Sequence, residues 1–258
     1  MNILVFQHLD IEHPGVFRKF WRDDQHRLAT VELDAGHKIP SLDGFDLLAV
    51  MGGPQDVWQN DLYPWLEFEK AAIRSWVRDL GRPYLGICLG HQLLAEALGG
   101  KVSPMRRPEV GIAKVSLTRD GLIDPILNGF APEVDTLQWH GAEVAEPPEG
   151  SVVLASNDAC RIQAIRYGRH AYGFQYHCEI EKQTVAAWEQ IPEYRRSLQD
   201  ALGTDGAEKL AKNVSSRLRA FTESARLLND NLMKIIRKAA TIETSAEETT
   251  IPARFISS

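Results

Sequence analysis

The sequence predicts an α/β fold, a layered and mostly parallel sheet flanked by helices, with a helical extension at the C-terminal end. Three observations carry this expectation. Short apolar runs alternate with amphipathic helical patterns over the first hundred residues, the mark of strand–helix–strand units and parallel pairing. The middle of the chain changes to strand-like runs separated by turns, which extend the sheet with an antiparallel ribbon. Beyond Glu179 the apolar residues recur at steps of three and four, the period of a helix.

Taken in order, residues 2–6 (NILVF) read as a buried strand. Residues 14–23 read as a helix with proline near its first turn. Residues 27–33 and 46–51 are strand-like. Residues 64–80 place Trp65, Phe68, Ala72, Trp76 and Leu80 at helical spacing, which predicts an amphipathic helix. A strand at 83–87 (PYLGI) leads into a short helix at 89–98, stopped by Gly99 and Gly100. Strands follow at 111–118, 136–144, 151–156 and 161–176. Leu210, Val214, Leu218, Phe221, Ala225, Leu228, Leu232 and Ile235 form one long stripe. A helix this long needs an apolar partner, either the α/β body or a second copy of the chain in a homodimer. No repeat or low-complexity linker divides the chain. The expected organisation is an α/β domain at 1–183, a helical extension packed on it at 184–240, and a flexible tail at 241–258.

Composition narrows the function classes. The chain has 258 residues, 44% hydrophobic and 25% charged, so it can bury a core without staples and is neither disordered nor fibrous. Its 29 basic and 35 acidic residues give a formal charge of −6, with no basic stripe for nucleic acid. No apolar run reaches the roughly 18 residues of a membrane span. The start, MNILVFQHLD, lacks a basic region before its apolar stretch and does not read as a secretory signal. Three cysteines, Cys88, Cys160 and Cys178, make no disulfide framework, and a reducing, cytoplasmic setting is the simplest inference.

The most informative segment is YLGICLGHQLLAEALGG at 84–100. It reads as strand, then Gly86-Ile87-Cys88-Leu89-Gly90, then helix, the G-x-nucleophile-x-G pattern of an elbow with cysteine in the nucleophile position. Such a turn exposes the sulfur at a helix N-terminus, where the dipole favours the reactive thiolate. A cysteine nucleophile needs a base, and the base needs an orienting group. His177 and Glu179, in FQYHCE at 174–179, lie two apart, so a strand would present both on one face. Attack by such a thiol on a carbonyl also needs donors for the tetrahedral oxygen. Leu89, after the nucleophile, offers one backbone N–H, and Gly53 in the turn after strand 46–51 offers the second.

The chain resembles the class I glutamine amidotransferases, and within them stand-alone proteins related to the glutaminase domain of GMP synthetase. The motifs Met51-Gly52-Gly53-Pro54, Gly86-Ile87-Cys88-Leu89-Gly90-His91-Gln92 and Phe174-Gln175-Tyr176-His177-Cys178-Glu179 stand in the family's order, and the likeness covers roughly residues 1–181. It implies a flavodoxin-like sheet and a cysteine-dependent, glutaminase-type amide hydrolase. It makes Cys88 the nucleophile, His177 the general base and acid, and Glu179 its orienter. It sets Gln92 and Gly111 along the bound glutamine, and Trp139 and His140 at its amino-acid end. The family usually has proline between histidine and glutamate, whereas this sequence has Cys178, which strand alternation turns to the opposite face.

Other residues take plainer readings. His8, Asp10, Glu12 and His13 cluster as HLDIEH, but no further ligand follows at metal spacing, so they line the pocket mouth. His91 caps or packs the helix start, Cys160 is buried, and Arg106 and Arg107 are a solvated pair. No metal or cofactor is called for. The chain contains no G-x-x-x-x-G-K-[ST] phosphate loop and no Ser-Gly-Gly ATP-pyrophosphatase signature. It therefore releases ammonia or cleaves a γ-glutamyl bond without activating an acceptor itself. Three readings stay open. One is a glutaminase, alone or feeding ammonia to a separate synthetase subunit. Another is a hydrolase of γ-glutamyl peptides or amides with the same triad. The third is a binding or regulatory protein with a vestigial site.

Overall fold

The computed structural model describes residues 1–249, with side chains through Ala239. Among these, nine strands form one sheet: β1 (Asn2–Gln7), β2 (Arg27–Glu32), β3 (Leu47–Val50), β4 (Tyr84–Ile87), β5 (Lys101–Leu117), β6 (Glu133–Glu146), β7 (Ser151–Ser156), β8 (Ala164–Tyr167) and β9 (Ala171–Phe174). Their order is β2-β1-β3-β4-β9-β8-β7-β5-β6. The first five run parallel, and the last four join by antiparallel pairings. The parallel half has the strand order of a flavodoxin-like fold, as the sequence predicts.

The helices are α1 (Val16–Asp23), α2 (Trp65–Arg74), α3 (Leu89–Ala97), α4 (Thr184–Trp188), α5 (Pro192–Leu202) and α6 (Gly206–Thr249). Strand β1 shows why the sheet is covered on both faces. Ile3 and Val5 pack with Phe17, Trp21 and the α6 residues Ala225, Leu228 and Leu232, while Leu4 and Phe6 pack with Leu66, Ile73 and Leu93 of α2 and α3. Period-two alternation thus feeds two cores. A third cluster joins Leu137 and Trp139 of β6 to Trp188, Tyr194, Leu198, Leu210, Val214 and Phe221.

Several boundaries differ from expectation. The helix expected over 64–80 is α-helical only to Arg74 and continues as a π-helical turn, Ser75–Asp79. Its buried face is Leu66, Glu69, Ile73, Trp76 and Val77, whereas Phe68 and Leu80 are exposed. The rotation puts Glu69 inside, where it bonds His8. The run 161–176 is a hairpin, β8 and β9, turned at Gly168 with φ 59°. Strand β5 starts ten residues before the expected 111, because it stays paired with β6 through an irregularity between Pro104 and Glu109. The long stripe is buried on the α/β body, with Leu218 and Ile235 partly covered. Helix α6 runs into the segment expected as a tail, and residues 250–258 lie outside the described residues.

Candidate active site

Strand β4 ends at Ile87, α3 begins at Leu89, and Cys88 alone makes the turn. Its φ of 52° is in the left-handed region that non-glycine residues avoid, so the strain at this elbow is real and local. The flanking glycines are dictated by space. A β-carbon on Gly90 would lie 2.1 Å from Val50 O, and one on Gly86 would lie 2.5 Å from Gly90 O. Gly90 N donates to Met51 O at 3.1 Å, which ties the elbow to the loop after β3.

His177 follows β9 and is pinned to β6 by a two-way bridge with Leu137, at 2.8 and 3.3 Å. Its Nδ1 bonds Glu179 Oε1 at 2.7 Å. Burial alone pulls the imidazole down, but Glu179 and the hydrogen bond with Cys88 outweigh it and hold the ring well above its ordinary value. The other oxygen of Glu179 accepts from Cys178 N at 3.0 Å, and its backbone carbonyl accepts from Val16 N at 2.7 Å. The Cys178 side chain packs in the core with Tyr176, and burial pushes its thiol far up. Cys160 is pushed up to about 12 for the same reason.

The Gly52-Gly53 loop stands beside the elbow. A β-carbon on Gly53 would meet Leu89 Cδ2 at 2.9 Å. Gln92 is buried, and its Nε2 donates to Ala142 O and Gln175 Oε1, both at 3.1 Å. Gln175 in turn donates to Cys88 Sγ at 3.6 Å. Trp139 brings its carbonyl within 4.0 Å of Cys88 Sγ, while its indole N–H donates to Ser197 Oγ at 3.1 Å. His140 points to the other face of β6, bonded to Ala142 O, Gln138 and Glu109. Gly111, with φ 127°, pairs with Gln138 next to the Val110–Trp139 pair. The structure therefore gathers Cys88, His177, Glu179, Gly53, Leu89 and Trp139. Gln92 reaches the sulfur through Gln175, and the His140 side chain serves a separate polar cluster. His91 packs against Gly173, and burial pulls its imidazole down to about 3.

Five side chains at the site depart from the sequence reading: Gln175, Trp188 and Tyr194 carried no role there, and His8 and Glu12, expected at the pocket mouth, are buried instead. Gln175 stands two residues before His177 on the same face, a signal strand periodicity offered. His8 bonds Gly52 O at 2.7 Å and Glu69 at 2.9 Å, fixing the glycine loop from below. Trp188 sets its ring edgewise on His177 at 4.7 Å, and Tyr194 lies 5.8 Å from Trp188 and 5.9 Å from Trp139. These two residues, from α4 and α5, roof the site. Cys88, His177 and Glu179 are 5%, 2% and 4% exposed beneath them. Glu12 is also enclosed, with Tyr194 Oη bonded to its Oε1 at 2.5 Å. Burial raises its carboxyl, and the imidazole of His177 opposes that shift. Among the described residues no group of three His, Cys, Asp or Glu side chains could hold a metal ion.

A buried thiol in a strained elbow, facing a histidine that is oriented by a carboxylate, is an arrangement for acyl transfer. A sequence model described as "Glutamine amidotransferase class-I" matches residues 21–186. The chain belongs to this family. The chain is 31% identical over 209 residues to the glutamine amidotransferase-like protein YfeJ of Salmonella typhimurium, covering 79% of this chain and 85% of the relative. It is 35% identical over 156 residues to one of the subunits of the glutamine-hydrolyzing GMP synthase of Saccharolobus solfataricus, covering 59% and 78%. The solved glutamine amidotransferase of Methylobacillus flagellatus superposes with a TM-score of 0.80 at 25% identity, covering 91% of this chain and 94% of that one. A second, from Thermotoga maritima, shares the fold with a TM-score of 0.80 at 24% identity, covering 90% and 97%. No helix among the described residues is long and apolar enough to cross a membrane.

Proposed function

We propose that the chain hydrolyses the γ-carboxamide of glutamine through a Cys88 thioester and releases ammonia. The observation that carries this reading is the strained Cys88 elbow facing the His177–Glu179 pair, whose bond is 2.7 Å long. Membership of the amidotransferase family supports it. His177 takes the thiol proton, and the sulfur attacks the γ-carbon. The Gly53 and Leu89 N–H groups receive the developing oxyanion. His177 then passes the proton to the nitrogen, the C–N bond breaks, and ammonia leaves. Water, with His177 as base, cleaves the thioester to glutamate. The substrate lies along Gly111 and Trp139, with Gln92 behind Gln175, and holding its amino-acid end aligns the carbonyl between the sulfur and the two amides.

The division of labour follows the chain. Residues 1–183 supply the chemistry. Residues 184–240 supply a roof, α4 and α5, and a buttress, α6. With Cys88 only 5% exposed, substrate entry requires the roof to lift. The indole N–H of Trp188 in that roof is buried without an acceptor. The relatives named as GMP synthase subunits support a separate synthetase as the recipient of ammonia, in a reducing compartment where the three free cysteines persist.

The test is a panel of glutamine, γ-glutamyl dipeptides and γ-glutamyl anilides, with ammonia and released amine both measured. Glutamine preferred by about tenfold or more, as ammonia, is the expected result. Preference for a bulky amide would replace this reading with a γ-glutamyl hydrolase. No turnover of any member, with Cys88 still alkylatable, would mean a vestigial site.

A further inference from the structure

A cavity of about 720 Å³ lies at the other end of the sheet from Cys88. Cys88 follows the C-terminal end of β4, whereas the cavity is lined by the turn that opens β9, a strand parallel to β4. His177 stands five residues beyond Tyr172 of the lining, roughly 16 Å along an extended chain. One wall is the face of α6 that carries Asn231, Lys234, Ile235 and Lys238, at steps of three and four. The second wall is two short 3-10 turns, Gly121–Ile123 and Pro125–Leu127, and the third is the β8–β9 hairpin. Buried polar bonds tie these walls together. Asn231 Nδ2 donates to Ile126 O at 3.0 Å and to Asn128 O at 2.8 Å, which fixes α6 to the turns. Asp124 accepts from Ile126 N at 3.0 Å and from Arg166 Nε at 2.6 Å, which fixes the turns to β8. The cavity is therefore pre-formed, and its volume is that of a small-molecule site.

Two properties of the lining are not accounted for by packing. The first is apolar surface left in water at the rim, where Leu122 is 52% and Ile123 79% exposed. The second is charge. Asp124 is the one acidic side chain of the lining, and Arg166 neutralises it. Arg169, Lys234 and Lys238 also line the cavity, and among the described residues none of them has a carboxylate partner. Lys234 and Lys238 stand one helical turn apart, where like charges repel, and an anion between them would offset that cost.

We propose that this cavity is a second ligand site, separate from the catalytic centre, for a small organic anion. Its acidic group, a carboxylate or phosphate, lies against Arg169, Lys234 and Lys238, and its apolar body lies against Leu122, Ile123 and Ile235. A protein partner would need a broad face, about 800 Å² on each side, whereas this space is concave and walled by three fixed elements. The inference does not depend on the chemistry assigned to Cys88.

The test uses anilinonaphthalene sulfonate, an apolar aromatic anion whose fluorescence reports binding. Wild-type protein should bind one equivalent, and alkylation of Cys88 should leave the affinity unchanged. Lys234→Gln combined with Lys238→Gln should weaken binding about 5- to 30-fold, the scale of two exposed ion pairs. Ile123→Ser should weaken it about 3- to 10-fold through lost apolar contact. All three side chains are exposed or at the rim, so the fold should survive, and circular dichroism checks that. Lys209→Gln combined with Lys212→Gln removes the same charge from the same helix, about 33 Å or more away, and should change the affinity by no more than about twofold. Octanoate and octyl phosphate should displace the probe, and the better competitor identifies the acidic group. Octylammonium should compete about tenfold or more weakly. The site is overturned by no binding to the wild type, by equal losses in the two lysine pairs, or by octylammonium competing as well as octanoate. Loss of binding on alkylation of Cys88 would place the probe in the catalytic centre and overturn it as well.

Discussion

Two buried histidine–glutamate pairs flank the same glycine loop. His177 bonds Glu179 at 2.7 Å, and His8 bonds Glu69 at 2.9 Å. Both rings are enclosed, and in both the carboxylate outweighs the burial that would pull the imidazole down. The difference lies in the other ring nitrogen. In His8 it bonds a backbone carbonyl, Gly52 O, at 2.7 Å, which leaves no vacant position for a substrate. In His177 it turns to the Cys88 thiol. The same pair chemistry thus serves as a fixture in one place and as a proton carrier in the other. What decides is the atom on the far side of the ring, a criterion that burial, pair distance and the direction of the pKa shift do not supply.

The comparison breaks most sharply at the sulfur. Cys88→Ala should lower glutamine hydrolysis by about 10⁶, the scale of losing a nucleophile, whereas Cys160→Ser and Cys178→Ser should keep most of it. Alkylation and peptide mapping give an independent reading. Cys88 should label first, because the other two thiols are pushed up by burial. Preferential labelling of Cys178 would sink the assignment.

Glu179→Gln comes next. The amide presents a donor or a neutral acceptor to Nδ1, so the imidazolium formed in turnover loses its charge partner and its tautomer is no longer fixed. The loss should be on the order of 10³ to 10⁴ in kcat, with KM little changed, by analogy with a triad aspartate. An unchanged kcat would mean that another carboxylate, Glu12 being the nearest candidate on this face, orients the ring.

The elbow and the His177–Glu179 pair are legible because local spacing encodes them. Cys88 sits between glycines that the Val50 and Gly90 carbonyls exclude any side chain from replacing. His177 and Glu179 share a face two residues apart. The His8–Glu69 pair spans 61 residues and joins the end of β1 to a helix whose buried face lies a step off the apolar period of its sequence. The roof is illegible for another reason. Trp188 and Tyr194 lie on short helices, and their place over Cys88 is set by packing against Trp139 and α6. The parallel half of the sheet follows from apolar runs, since both of its faces are covered. The β8–β9 hairpin reads as one strand because its turn is only three residues long.

Glu69→Gln sharpens the comparison from the fixture side. It leaves His8 a neutral partner in a dry site. The expected cost is about 1–3 kcal/mol of stability, the scale of weakening a buried charged hydrogen bond. Activity should fall only about tenfold, because Gly52 shifts but Cys88, His177 and Glu179 remain. Urea unfolding and kcat/KM on one sample separate the two effects. A rate loss as large as that of Glu179→Gln would make the two pairs functionally equivalent and end the distinction.

The smallest expected effect is in the pH dependence of that stability. The folded His8 ring is raised above its ordinary 6.5, with Glu69, the Gly52 carbonyl and the more distant Glu12 outweighing burial. A group raised in the folded state binds its proton more tightly there than in the unfolded chain. Its contribution is therefore complete below about 6.5 and fades as pH rises through the folded value, at about 1.4 kcal/mol for each pK unit of elevation. The wild type should exceed Glu69→Gln in unfolding free energy most clearly near pH 6, and the gap should narrow toward pH 9. His177 titrates in both proteins and cancels in the difference. Unfolding free energies of the two proteins at matched ionic strength, taken every half unit, measure the gap. A gap that widens with pH would mean that His8 is neutral in the folded state and that Gly52 is held by an uncharged hydrogen bond. The two pairs would then differ in charge as well as in the atom beyond the ring.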